Sequence, residues 1–241
     1  MRTLCALALL SLAGPALAQA PAAPAAPPDP FVGGISLGYL STKGNTDSTN
    51  ANAKFDVSWD LDGPWKHEWH ALAINARTDG ITTAESYSAG YKAKRDFSAK
   101  SYLFFTGDWR QDRFSGYDEQ VSEAVGYGRR LIDNERHKLS LEGGAGAKQS
   151  DLTTGTSLDE AIVRGALDYL FTISETSKFE QKLLIEQGDE NRYTESTSAL
   201  KTRIVGNIAL VLSYVIKSNS DVPVGIEKTD RFTSISLEYA F

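Results

Sequence analysis

The chain has one cysteine, Cys5, close to its N-terminus. No disulfide within the chain can staple the fold, even in an oxidising compartment. Histidine is almost as scarce, with three in 241 residues. His67 and His70 are spaced so that a strand would point them to opposite faces. His137 falls at the foot of a turn, where it is expected to be solvated. No metal site is expected from such a set. A basic excess is also lacking: 25 Lys and Arg stand against 31 Asp and Glu, for a formal net charge of −6. Nucleic-acid binding, which needs a basic patch, is therefore not expected. Beyond residue 18 no apolar run approaches the ~20 residues of a membrane-spanning helix. G-x-S-x-G, Walker A and H-E-x-x-H patterns do not occur, so no catalytic residue and no cofactor is assigned.

What the chain does have is alternation. Ile235, Leu237, Tyr239 and Phe241 share one parity, with small or polar residues between them. That is a strand with one apolar and one polar face. Ending on a terminal aromatic, it has the form of the closing strand of a bacterial outer-membrane barrel. Leu237, Tyr239 and Phe241 are the expected signal to the barrel-assembly machinery. At the other end, residues 1–18 read as a secretory signal peptide. Arg2 supplies the charge, residues 4–12 the apolar run, and Ala16-Leu17-Ala18 the small-x-small cleavage site. Residues 19–30 form an Ala/Pro spacer that cannot pack a core. The barrel is expected over 31–241.

Strand-like runs fall near 31–42, 48–60, 66–78, 84–97, 100–114, 118–132, 137–148, 157–171, 177–188, 192–204, 207–219 and 228–241. The expected fold class is thus all-β: a transmembrane, antiparallel, up-and-down β-barrel of about twelve strands, an even count as in bacterial barrels. In the second run Ala51, Ala53, Phe55, Val57 and Trp59 oppose Asn52, Lys54, Asp56, Ser58 and Asp60. In the eleventh Ile208, Leu210, Leu212, Tyr214 and Ile216 oppose Ser213 and Lys217. The ten Tyr, ten Phe and four Trp suit aromatic girdles at two bilayer interfaces. Three stretches fit less well. In the third run Trp69, Ala71 and Ala73 compete with His70, Leu72 and Ile74 for the outer face. Glu123 lies on the apolar parity of the sixth, and the tenth has almost no apolar face. Bulges or misplaced boundaries are the expected causes.

The connections alternate in length. The short set, among them Asp62-Gly63-Pro64, 98–100, 133–135 and 174–176, is expected to face the periplasm. The longer, acidic set at 44–47, 78–84, 115–118, 150–158, 188–192 and 220–227 is expected to face outward, with none long enough to make a plug or a lid. The stretch from Gly44 to Thr49 has one carboxylate where a calcium site needs several, and reads as a tight turn.

Several stretches resemble the YdiY-like family of salt-induced outer-membrane proteins. They are LGYLSTKGNTDS from Leu37, WRQDRFSGY from Trp109, GYGRRLI from Gly126, LEGGAGA from Leu141, and the tail with NSDVPVG, KTD and TSISLEYAF. The resemblance covers about 32–241. It implies an outer-membrane barrel of a Gram-negative bacterium and carries no established catalytic residues.

The candidate functional cluster is Asp108, Arg110 and Asp112, two residues apart along one face of the fifth strand. Arg130 on the next strand and Lys92 and Lys94 on the previous one are expected to pair with them. Glycines 126, 128, 143, 144 and 146 would leave room for the long charged side chains. Such a ladder fills a closed lumen or tunes a pore. The leading functional expectation is a monomeric outer-membrane barrel that is structural or forms a narrow channel for small polar solutes or ions. The expected partners are outer-membrane lipid and, during biogenesis, the assembly machinery and periplasmic chaperones. The alternatives are a lipid-acting enzyme on the outer wall with His70 as base, and a surface binding module that uses the acidic loops.

Overall fold

The computed structural model describes residues 30–42, 48–60 and 63–241. The signal-peptide reading, nearly all of the Ala/Pro spacer, most of the Gly44–Thr49 turn and Asp62 lie outside the described residues. Twelve strands follow in order: β1 (Phe31–Thr42), β2 (Ser48–Asp60), β3 (Trp65–Thr78), β4 (Ile81–Ser98), β5 (Ser101–Asp112), β6 (Tyr117–Asp133), β7 (His137–Leu152), β8 (Ser157–Thr172), β9 (Ser177–Gln187), β10 (Arg192–Val205), β11 (Ile208–Asn219) and β12 (Thr229–Ala240). Each pairs antiparallel with its neighbour in sequence, and β12 closes on β1. The closing register is Gly34↔Ala240 through Leu37↔Leu237. Phe241 and Gly33 extend it with reciprocal backbone bonds of 2.9 Å. A closed ring leaves no sheet edge, the condition for holding strands in a medium that cannot hydrogen-bond the backbone.

The period of two sorts the side chains into an outer and an inner wall. Leu210, Leu212 and Tyr214 of β11 stay exposed on the outside, beside Leu237 and Ile235 of β12. Val211, Val215 and Lys217 are buried within. Register through the ladders settles the three poorly fitting stretches. His67 and Trp69 of β3 face out with Trp59 and Val57, while His70 pairs with Asp56 and Gly90 on the inner wall. Glu123 does point outward, between Gly107 and Ala147, with no bulge at that position. On β10 the outer wall is Thr194, Ser196, Ser198, Leu200 and Thr202, with Leu200 the one large apolar residue among these five, and Gln181 of β9 bridges the Ser196 and Ser198 hydroxyls. These departures are sequence features of the outer wall rather than register errors.

The two rims differ less in length than expected: the connection placed at 78–84 is the two-residue turn Asp79-Gly80, because β4 begins at Ile81, and on that rim only 220–228 is markedly longer than the turns of the other. The short-turn rim holds a dense outward aromatic group. Phe31 stacks on Trp59 at 5.2 Å, and Trp59, Trp65, His67, Trp69 and Tyr91 continue it. The long-loop rim departs from expectation. Segment 220–228, joining β11 to β12, reaches the turn between β5 and β6, half a circuit away in the barrel order. Tyr117 donates its hydroxyl to the Asp221 carbonyl at 2.8 Å. Asn191 accepts the backbone N–H groups of Ser220 and Asp221 at 3.0 and 3.2 Å. A side chain at Gly116 would run into Pro223. The loop is therefore a lid across that mouth. Loop length alone did not foretell it, because the lid is held by Asn191 and Tyr117 rather than by its own bulk.

Candidate functional site

The inner wall of β5 carries Tyr102, Phe104, Thr106, Asp108, Arg110 and Asp112 in every-other-residue succession. Arg110 does not pair along its own wall. It crosses the interior to β9, where its two terminal nitrogens donate to Glu186 at 2.9 and 3.1 Å. The two strands are not neighbours in the barrel. The guanidinium lies over the Tyr193 ring, 4.4 Å from its centroid. Glu186, with its side chain 1% exposed, also accepts from Ser122 at 3.0 Å and lies 4.0 Å from Arg164. Burying ions this deeply costs several kcal/mol each unless geometry and extra hydrogen bonds offset it. The forked, bidentate contact supplies that offset. A second crossing joins Lys217 of β11 to Ser86 of β4 at 2.9 Å. Lys148, fully buried, pairs with Glu160 at 3.0 Å, and Glu160 also accepts two backbone N–H groups from Glu190 and Asn191. The loop-side half of the interior is thereby filled.

Below this layer a second set of charges pairs, some between adjacent strands and some across two or three strand positions. Glu142 collects Lys92 at 2.8 Å, Arg164 at 3.2 Å and the Tyr102 hydroxyl at 3.0 Å. Lys94 meets Glu68 at 2.7 Å, and Arg130 meets Asp96 at 2.8 Å. Asp108 accepts from Thr106 at 3.1 Å and faces His70 at 3.3 Å. Asp112 accepts the Phe114 N–H at 3.2 Å, and its second oxygen has no hydrogen-bond partner among the described residues. All six residues of the sequence-derived cluster thus lie on the inner wall, but the ladder expected among them does not form. Their partners are Glu186, Glu142, Glu68, Asp96 and His70. The physical reason is that their directly opposed residues on β4, β5, β6 and β7 are uncharged, among them Gly90, Ser122, Ser88, Gln120, Thr106 and Ser140, whereas the narrow ring lets long side chains reach across. Sequence reading missed Glu142, Arg164 and Glu186 as hubs. Their parity marked them as inward, but nothing local to them named their partners.

The glycine expectation needs the same correction. Gly126, Gly128, Gly144 and Gly146 line the inner wall, but rings rather than charges fill the space at two of them. Phe104 lies against Gly126 and Tyr102 against Gly128, so closely that a Cβ would collide with either ring. Gly143 faces outward. The histidines also separate. His70 is inside, so it cannot act as a base on the outer wall, and the lipid-acting alternative loses that residue. His137 is not a free turn residue: it is half-buried, stacks on Phe171 at 4.8 Å, and shares a hydrogen bond with Tyr169 at 2.9 Å.

The turn-side half of the interior stays open to solvent. Lys54 and Asp56 pair there at 2.7 Å with both side chains partly exposed, the His70 side chain is 44% exposed, and inward Lys182 is exposed. A cavity of about 370 Å³ opens at the short-turn mouth, lined in part by Lys66, Asp96, Arg130 and Lys138. Beneath the lid lies a small cavity of about 20 Å³ among Arg110, Asp112, Tyr117, Lys217 and Asp230. That is room for one or two waters.

A family model described as "Protein of unknown function, DUF481" matches residues 35–241. The uncharacterised protein YdiY of Escherichia coli K12 is 29% identical over 218 residues, which is 90% of this chain and 86% of its own length. Among solved structures, an outer-membrane channel from Pseudomonas putida F1 aligns over 93% of this chain and all of its own, at TM-score 0.53 and 10% identity. That likeness is one of fold.

Proposed function

The chain belongs to the DUF481 family, and from that premise we propose that it is an outer-membrane β-barrel serving as a narrow, normally shut passage for small ions and polar solutes. The observation that carries this reading is the division of the interior. The turn-side half is a charged, solvent-accessible vestibule, and the loop-side half is sealed by an ion pair, Arg110–Glu186, and a hydrogen bond, Lys217 to Ser86, that tie non-neighbouring strands together. With the short turns toward the periplasm, the vestibule opens inward and the lid at 220–228 closes the outer mouth. A seal built from Arg110 and Glu186 differs from an apolar plug. Each group can exchange its partner for water or a passing ion, so the seal is polar and breakable. The signal-peptide reading of residues 1–18 agrees with export to that membrane.

Planar-bilayer conductance tests the proposal. The wild-type barrel should pass current rarely and in small steps. Glu186→Gln, which removes the acceptor charge at the crossing, should raise the open fraction, as should Tyr117→Phe, which releases the lid. If neither variant, nor the two together, conducts above the wild type, the passage reading fails and a purely structural barrel stands in its place.

A further inference from the structure

The outer wall at the short-turn rim repeats one arrangement twice, and neither copy belongs to the interior network. On β3 and β4 the Trp65 ring carries Arg95 at 5.8 Å and stacks against His67 at 6.4 Å, and His67 Nδ1 lies 2.7 Å from the Tyr91 hydroxyl. At β7 and β8 the Phe171 ring carries Arg136 at 5.5 Å and stacks against His137 at 4.8 Å, and His137 Nδ1 lies 2.9 Å from the Tyr169 hydroxyl. Each is an arginine, a ring, a histidine and a tyrosine: the rings, histidines and tyrosines share the outward parity of two adjacent strands, while Arg95 stands opposite Trp65 in the ladder and Arg136 comes from the turn just before β7.

The hydrogen bond decides what the imidazole presents. Neither tyrosine hydroxyl has another acceptor among the described residues, and we assign the tautomer in which each donates to Nδ1 of a neutral histidine. The proton of that histidine then sits on Nε2. When the ring is protonated, Nδ1 donates to the tyrosine oxygen and Nε2 still carries a proton. In both states Nε2–H is a donor, and it has no hydrogen-bond partner among the described residues. Arg95 and Arg136 are exposed and form no ion pair there. A guanidinium and an N–H donor flanking an aromatic ring make a cradle for an anionic oxygen group whose attached chains lie along apolar wall. At a bilayer interface that ligand is the phosphodiester of a phospholipid headgroup.

We propose that these two clusters, Arg95–Trp65–His67–Tyr91 and Arg136–Phe171–His137–Tyr169, are paired binding sites for phospholipid headgroups in the periplasm-facing leaflet. The inference rests on the outer-membrane reading above. Each arginine neutralises the phosphate, each Nε2–H donates to it, and each tyrosine sets the imidazole's orientation.

Native mass spectrometry of the detergent-refolded protein with added phosphatidylglycerol tests it. Wild type should retain two lipids. The Arg95→Gln/His67→Gln and Arg136→Gln/His137→Gln pairs should each retain one, and the fourfold variant none. Tyr91→Phe and Tyr169→Phe keep the charge and the ring but free the imidazole, so each should weaken retention at its own site. Inorganic phosphate should not displace the lipid; displacement would reassign the sites to free phosphate and overturn the lipid claim. Equal lipid counts in wild type and in every variant that keeps heat-modifiable gel mobility would overturn it as well. If the wild-type protein fails to insert into phosphatidylglycerol vesicles at all, the outer-membrane reading falls with it. Insertion with unchanged lipid counts sinks only the paired sites.

Discussion

Replacing Arg110 with alanine is the sharpest test of the interior network. The substitution strips two hydrogen bonds and the only bidentate cation from Glu186, whose side chain is 1% exposed. Breaking a buried ion pair from one side costs about 3–5 kcal/mol, because the remaining charge stays desolvated. Here Ser122 and Arg164 still reach Glu186, so the loss belongs at the lower end, about 3 kcal/mol. The Tyr193 ring also loses the cation above it, which adds about 1 kcal/mol or less. Adding Glu186→Gln removes the orphaned charge and should restore part of the loss, giving a coupling of about 1–3 kcal/mol in a double-mutant cycle. Reversible urea unfolding from detergent or lipid measures both. In the bilayer the Arg110→Ala barrel should conduct more and favour cations, since acid is left in excess along the passage. A stability loss below about 1 kcal/mol, the range of an ordinary surface change, together with no rescue by Glu186→Gln, would refute the crossing as a structural tie.

Three further outcomes follow from the walls. Leu210→Arg on the outer face should cost about 2–4 kcal/mol if it lies near the bilayer midplane, while Ser213→Arg on the inner face of the same strand should cost less; equal or reversed losses in unfolding from lipid would put β11 in the wrong register. Deleting Phe241 removes both of its backbone bonds to Gly33 at the β1–β12 seam, so folded yield by heat-modifiable mobility should drop, and Phe241→Asp should do the same by putting a charge on the outer wall. Gly126→Val forces a side chain against the Gly143 carbonyl of β7 and the Phe104 ring and should cost about 1–3 kcal/mol by overpacking, with Phe104→Ala in the same chain relieving only part of it; a neutral Gly126→Val would mean that both the ring and the β7 backbone have room to move.

The alternation in the sequence by itself determined the number of strands, most of their ends and, for most strands, which residues share a face. Ile208 to Ile216 and Ala51 to Trp59 show why: a period of two is written residue by residue, and the backbone needs no distant partner to express it. It also placed Lys92, Lys94, Asp108, Arg110, Asp112 and Arg130 on one wall. What only the tertiary structure decided is which charges meet. Arg110 and Glu186 are 76 residues apart, on strands that never pair. Their contact depends on how the closed ring is tilted and how wide it is, and no local pattern encodes either quantity. The same holds for the lid, whose anchors are Asn191 of the β9–β10 connection and Tyr117 at the start of β6, and for His67 and His70. Parity alone put those two histidines on opposite faces. Only the ladders from Asp56 to His70 and from Trp59 to His67 fixed which face is the interior, because inside and outside exist only once the sheet has closed.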